Sequence, residues 1–245
     1  MARDTAEDWK RIGETEPWWG VLSAPEFLQA NITEETKERF YAQGRDEMAW
    51  VMETLAQHFG AIKPDVGLDF GAGLGRLSFP MAHVCREVYG VDISPGMRQE
   101  AERQAQRREI QNVRFVDTVP DNLQSDWINS YIVFQHILPR MGYHILRSLC
   151  ATLNPGGVAS VHMTFAHDSR DNNTLVRDLL SWRFDGDTLT ALENNEHRPG
   201  EQSMYDYDMN VVLMIFARAG IRDVLLRHTD HGGAHGYWFF GRKTH

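Results

Sequence analysis

From residue 64 onward, apolar and polar positions fall into alternating blocks, each about the length of one secondary-structure element. "VGLDF" (66–70), "EVYGVDI" (87–93), "VRFVD" (113–117), "SYIVFQHI" (130–137) and "GGVASVHMTF" (156–165) are short apolar runs that predict buried strands. Between them, "RLSFPMAHVC" (76–85), "GMRQEAERQAQRREI" (96–110) and "YHILRSLCATL" (143–153) predict helices. Strands separated by helices form βαβ units, which require a parallel sheet covered on both faces. "YDYDMNVVLMIFARAG" (205–220) then reads as a helix stopped by Gly220. "IRDVLLRHTD" and "GYWFFGRK" follow as strands joined by the short "HGGAHG", a joint that implies an antiparallel hairpin at the end of the sheet.

The first 60 residues read as helical. Thr33 is the expected N-cap of a helix in which Phe40, Met48, Val51, Met52 and Leu55 recur near the helical period and Gly60 ends the run. Ahead of it, "DWKRIGETEPWWGVLSAPEF" carries three of the seven tryptophans, as a strap on the core or a lid over a pocket. The polar stretch from Ala166 to Met204, with weak periodicity only at "LVRDLLSWRF", is long for a plain connection and predicts a capping insertion. The expected organisation is a helical N-terminal cap over 1–60 and a core domain over 61–245, with the insertion at 166–204. The fold class is α/β: a doubly wound, mostly parallel seven-stranded sheet ending in an antiparallel hairpin.

Bulk composition narrows the partners. With 245 residues, 42% hydrophobic and 24% charged, the chain can bury a sizeable core. A formal net charge of −9 repels phosphate backbones, so no nucleic-acid partner is expected. The arginines at 98, 103, 107, 108 and 114 alternate with Glu100, Glu102 and Glu109, the pattern of a solvated helix face. Cys85 and Cys150 are expected to be reduced core residues. The charged opening "MARDTAEDWKRIGE" lacks the apolar core of a secretory leader, and "VVLMIFA" (211–217) is too short to span a bilayer. A cytoplasmic protein with no membrane partner is the expectation.

The chemistry concentrates at "VGLDFGAGLGRLSFP". Glycines on a strand-to-helix turn let backbone approach a ligand closely. The dinucleotide register is G-x-G-x-x-G, whereas here Gly71, Gly73 and Gly75 give G-x-G-x-G with Arg76 in the next place. Asp69, two residues before the first glycine, would repel a pyrophosphate and attract an ammonium. An adenosine compound carrying an amine fits both details. Asp92, about 20 residues beyond, ends the second strand, where an acid accepts both ribose hydroxyls; the competing reading is a helix N-cap.

"LDFGAGLGRLSFPMA", "VYGVDISPGM", "VRFVDTV", "YIVFQHI" and "LCATLNPGGVASV" resemble, in order and spacing, the successive motifs of class I, Rossmann-like S-adenosylmethionine-dependent methyltransferases, over about Val66 to Val161. The resemblance implies S-adenosylmethionine as cofactor, with S-adenosylhomocysteine as product. It implies that Asp69, Gly71, Ala72 and Gly73 hold the methionine part. Asp92 would take the ribose, Ile93 and Met97 would lie by the adenosine, and Asp117 and Thr118 would reach the adenine edge. Gln135 and His136 would face the sulfonium and the substrate mouth, and Tyr41 and Arg45 would complete the pocket from the N-terminal helix.

Methyl transfer to oxygen needs alignment of the nucleophile, exclusion of water and removal of a proton. His136, His162 and His235 are the candidate bases. The loose spacing of His228, His231 and His235 predicts no metal site, and His167 with Asp168 lacks a matching set of acids. Trp9, Trp18, Trp19, Trp182 and Phe184 offer ring-stacking surface, and Tyr205 and Tyr207 offer hydroxyls, for a small organic or glycosidic acceptor. The expected function is O-methylation of a small molecule such as a sugar or natural product. An NAD-dependent oxidoreductase and a non-catalytic cofactor-binding scaffold are the alternatives.

Overall fold

The computed structural model describes residues 5–168, 180–184, 189–193 and 202–244. Helices α1 (Ala6–Thr15) and α2 (Pro17–Val21) form the N-terminal strap, followed by a 3-10 turn at Pro25–Phe27 and the long α3 (Glu34–Phe59). Thr33 caps α3 as expected: its hydroxyl accepts the Thr36 N–H at 3.2 Å, and the Thr36 hydroxyl accepts the Thr33 N–H at 2.8 Å. The core then runs β1 (Val66–Phe70), α4 (Ser78–Ala82), β2 (Glu87–Val91), α5 (Pro95–Arg107), β3 (Val113–Val116), β4 (Ser125–Ser130), α6 (Pro139–Thr152) and β5 (Leu153–His167). After three cap strands, β6 (Leu180–Phe184), β7 (Leu189–Glu193) and β8 (Gln202–Met204), come α7 (Met209–Arg218), β9 (Ile221–Asp230) and β10 (Ala234–Lys243).

The main sheet has seven strands in the order β3-β2-β1-β4-β5-β10-β9. The five strands from β3 to β5 are parallel, and β10 runs antiparallel to both β5 and β9. The doubly wound sheet and its terminal hairpin are therefore as expected. One face packs against α6 and α7 through Leu68, Ile128, Leu149, Val161, Phe216 and Phe239. The other packs against α3 and α4 through Val51, Leu55, Met81, Trp127 and Phe240. Burial on both faces explains the near-continuous apolar runs of β1 and β2.

The fourth strand departs from the expected position. It is "SDWINS", not "SYIVFQHI", and residues 134–136 form a 3-10 turn. The reason is a buried polar chain. The Trp127 indole donates to Ser160 Oγ at 2.9 Å, Ser160 Oγ donates to Asn129 Oδ1 at 2.8 Å, and Asn129 Nδ2 donates to Asp69 Oδ1 at 2.8 Å. The polar side chains of Trp127 and Asn129 are thus satisfied from neighbouring strands, and Ser125 Oγ pairs with Thr152 of α6 at 3.0 Å, which lets a largely polar sequence sit in the centre of the sheet.

The insertion after β5 contributes an antiparallel sheet in the order β7-β6-β8. "LSWRF" within the weakly periodic stretch is strand β6; the side chains of Trp182 and Phe184 lie outside the described residues. The basic residues of α5 and its end are paired, Arg103 with Glu100, Arg107 with Glu34 and Arg108 with Glu38, and Arg114 pairs with Glu87 from strand β3. Cys85 and Cys150 are free and buried, and burial pushes both thiols up to about 12. No helix among the described residues is long and apolar enough to cross a membrane.

Candidate active site

The turn after β1 is shaped by its glycines. Gly71 has φ +76° and Gly73 φ +52°, values that L side chains rarely adopt, and a Cβ on Gly71 would overlap the Val133 side chain. The Gly71 and Ala72 amides donate to Val91 O at 2.8 and 3.0 Å, tying the turn to the end of β2. Gly73 N–H donates to Asp92 Oδ2 at 2.8 Å, and Ser94 N–H donates to Asp92 Oδ1 at 2.9 Å. The N-cap of α5 is Ser94, whose hydroxyl accepts Met97 N–H; Asp92 itself is not the cap. Each Asp92 oxygen keeps a lone pair for a further donor. Burial raises its pKa, against the two backbone bonds that hold the anion.

Asp92 lines a cavity of about 780 Å³ above the carboxyl ends of the central strands, within the usual range of small-molecule sites. Ile93, Met97, Asp117 and Thr118 share its wall with Gly71 and Gly73. Ile93 is 45% exposed and presents an apolar face to this space. The roof comes from two distant parts of the chain, the strap (Thr5, Trp9, Val21) and β8 (Gln202, Met204). Gln202 Nε2 fastens one to the other by donating to Ser23 Oγ at 3.2 Å.

Gln135 and His136 also line the cavity, from the 3-10 turn rather than a strand end. The His136 ring is held on three sides. Nδ1 lies 2.9 Å from Ser203 O, Nε2 lies 3.2 Å from the Gln135 amide nitrogen, and the Trp9 ring packs on it at 4.8 Å. A carbonyl partner at Nδ1 requires that nitrogen to carry the proton, leaving Nε2 as acceptor. Burial pushes the pKa of His136 down to about 4, so the ring is neutral at pH 7.

Several expected site residues lie elsewhere. Asp69 is 2% exposed and does not line the cavity: Ser78 Oγ donates to its Oδ2 at 2.6 Å and Asn129 to its Oδ1. The carboxylate is thus a buried strut under the glycine turn, not a wall of the pocket. Ala72 is likewise buried outside the lining. Tyr41 and Arg45 border a separate recess of about 120 Å³; the Tyr41 hydroxyl donates to Leu74 O at 3.0 Å and Arg108 stacks on its ring at 4.0 Å. His162 is 1% exposed, bonded to Thr229 Oγ1 at 2.8 Å and packed against Tyr131, and burial holds its pKa down at about 3. His235 pairs with Asp168 at 2.9 Å at the turn end of the hairpin and does not itself line the cavity, although its neighbour Ala234 does. That pairing raises its pKa. His167 sits 2.7 Å from Asp206, and no group of three or more metal-ligating side chains occurs among the described residues.

Sequence reasoning gave no role to Arg76, Tyr131 or His231, all of which line the cavity. Arg76 was visible only as an exception to the dinucleotide register. Tyr131 and His231 carried no signal, because one lay inside a misplaced strand and the other in a polar turn.

The methyltransferase-domain family Methyltransf_12 matches residues 68–159, the segment that carries the glycine turn, Asp92 and the fourth and fifth strands. An uncharacterized RNA methyltransferase, YljE of Lactococcus lactis subsp. lactis (strain IL1403), is 26% identical over 177 residues, 70% of this chain and 34% of that protein. The chain spans about a third of the length of the curated relatives it matches. Among solved structures, magnesium protoporphyrin IX methyltransferase (ChlM) from Synechocystis PCC 6803, with bound S-adenosylmethionine, superposes with a TM-score of 0.60 at 16% identity, covering 99% of this chain and 98% of that one. The N-terminal domain of EvdMO1, with bound S-adenosylhomocysteine, gives 0.59 at 13% identity and 98% coverage of each chain. Motif order, sheet order and family match agree: residues 68–159 match a methyltransferase domain, and the chain has the Rossmann-like fold of S-adenosylmethionine-dependent methyltransferases.

Proposed function

We propose that the protein methylates an oxygen of a small organic acceptor, such as a sugar or other secondary metabolite, bound beside S-adenosylmethionine in the roofed cavity. The observation that carries this reading is the continuity of that cavity. It runs from Asp92, Ile93 and Asp117 past Gly71 and Val133 to an apolar half walled by Trp9, Leu138, Met141 and Met204. The residues present fit the donor. Asp92 offers two lone pairs to ribose hydroxyls, Ile93 and Met97 offer apolar surface to adenine, and Asp117 and Thr118 border the adenine edge. The Gly71–Gly73 backbone lets the methionyl part pass without a Cβ in the way.

Bound there, the donor supplies a methyl group already activated by its sulfonium. The chain's own residues orient the two molecules and exclude water: the strap and β8 close the roof, and Trp9 and the neutral His136 ring border the acceptor half. With its ring nitrogens engaged and its pKa lowered to about 4, His136 is suited to walling the acceptor half rather than to storing a proton.

Calorimetry with S-adenosylhomocysteine and with NAD separates the methyltransferase from the oxidoreductase reading; binding of NAD alone would end the former. A second acceptor reading, RNA, is favoured by the likeness to YljE. The net charge of −9 and the paired arginines weigh against it. Transfer of labelled methyl from S-adenosylmethionine to a panel of small hydroxylated acceptors, with total RNA as a parallel arm, decides between them. Label in RNA alone would overturn the small-molecule reading, and transfer to neither would favour the scaffold.

A further inference from the structure

We propose that the acceptor is a monoanionic carboxylic acid with an apolar body, and that Arg76 and the Tyr131 hydroxyl form the site that holds its carboxylate. The inference rests on the methyltransferase reading above and names the class of acceptor.

Among the described residues that line the cavity, Arg76 is the only lysine or arginine. It is 5% exposed, and Gly44 of α3 lies against its backbone and side-chain stem, where a Cβ would leave no room. Its guanidinium carbon lies 5.9 Å from the Phe40 ring and 6.0 Å from the Tyr131 ring. Glu47 Oε2 is 2.8 Å from Nη1, yet neither Nε nor Nη1 meets hydrogen-bond geometry with any group. Nε and Nη1 are closed off from the cavity, so a carboxylate there would meet the Nη2 end of the guanidinium and would stabilise a buried cation that Glu47 offsets only in part.

Its position assigns it to the acceptor half. Asp92 and Asp117 mark the donor half beyond β2 and β3, and among the described residues no acid lines the cavity on the other side of β1. Arg76 leans instead toward Tyr131, just past β4. Tyr131 stacks on Trp238 of β10 at 4.2 Å, and its hydroxyl lies 3.4 Å from His231 Nε2 in the β9–β10 turn. Burial raises the Tyr131 pKa and lowers that of His231, so at neutral pH both are uncharged beside a permanent cation; with the His231 proton on Nε2, the Tyr131 oxygen accepts it and the phenol hydrogen is left for a carboxylate.

Much of the remaining wall of this half is apolar, with Val133, Leu138, Met141, Ile145 and Met204 beside the polar Gln135, His136, His144 and Ser148. One charged anchor in a largely apolar chamber selects an amphiphilic acid. Glu47 already offsets part of the Arg76 charge, which disfavours a dianion such as a phosphate monoester. A planar monoanion matches the guanidinium fork.

The test is calorimetry on the full chain. It begins with S-adenosylhomocysteine, whose failure to bind would sink the methyltransferase reading and this proposal with it. Benzoate, indole-3-acetate and hexanoate are then titrated into the saturated protein, each against its primary amide. At least one acid is expected to bind about tenfold or more tighter than its amide, the size of effect for a charged hydrogen-bonded pair. Arg76→Gln should remove that preference while S-adenosylhomocysteine affinity stays within about threefold, and Tyr131→Phe should weaken the acid by about three- to tenfold. Should Arg76→Gln fail to fold, Tyr131→Phe, which keeps the Trp238 stack, carries the test. The proposal is overturned if no acid binds, if acids and amides bind alike, if the preference survives in Arg76→Gln, or if Tyr131→Phe binds the acid as tightly as the unaltered protein does. A loss of S-adenosylhomocysteine affinity above about tenfold in Arg76→Gln would also overturn it, since Arg76 would then serve the donor.

Discussion

Asp92 Oδ2 accepts the Gly73 N–H at 2.8 Å, so the acid at the end of β2 fixes the loop that follows β1. A single carboxylate thereby shapes the donor pocket and faces into it. Replacing Asp92 with Ala is expected to weaken S-adenosylhomocysteine binding by more than about tenfold, since bonds to a charged acceptor contribute roughly 1.5–3 kcal/mol. Calorimetry on the folded variant checks this; unchanged affinity would remove Asp92 from the donor site.

Asp69 is expected to behave differently. In Asp69→Asn, one of the donors from Ser78 and Asn129 loses its acceptor inside the core, at about 1–3 kcal/mol of stability. The urea midpoint should fall accordingly, while S-adenosylhomocysteine affinity below the transition stays within about threefold. A large loss of affinity without loss of stability would return Asp69 to the donor site.

Gly71→Ala probes the turn itself. The positive φ costs an alanine about 1–2 kcal/mol, and its methyl group must also displace Val133 from the cavity wall. The expected result is a lowered melting temperature together with donor affinity reduced by about tenfold or more, because pocket shape and stability change together. A variant with native affinity would show that the turn does not approach the donor.

His136 and His162 are held neutral, with pKa values pushed down to about 4 and about 3, while the unfolded chain titrates near the ordinary histidine value of 6.5. Between those limits the unfolded state binds more protons than the folded one, so stability rises with pH. Their contribution is complete above pH 6.5 and is lost as pH falls toward 4 and then 3. Each histidine adds a slope of up to about 1.4 kcal/mol per pH unit. Urea denaturation at pH 4.5, 5.5, 6.5 and 7.5 measures it, and His162→Gln should flatten the slope by one histidine's share. An identical slope in that variant would contradict the buried neutral state.

The apolar runs made β1, β2 and β10 legible, because strands buried on both faces need such residues wherever they lie, whereas the half-exposed edge strands β3 and β9 were legible from their position between turn or helix signals. Strand β4 was not legible, since Ser125, Asn129 and Ser130 are buried polar residues and two of the strand's side chains are bonded only through partners in neighbouring strands. No local pattern reports a partner 30 or 60 residues away. The same distinction runs through the site. Asp92 could be read from an acid, a strand end and a glycine turn in sequence. Arg76 and Tyr131 meet only through the packing of α3 and β10 against the sheet. His162 and His235 looked alike as polar residues near strand ends, and only the fold separates a core residue from a hairpin ion pair.

The contact between Gln202 and Ser23 joins residues 179 positions apart. On a ribosome, the glycine turn, Asp92 and the strap all emerge long before β8 does. A chain that has grown only as far as β5 therefore holds every proposed donor-side residue but none of β8, and the chamber gains its roof only once residue 202 has been added.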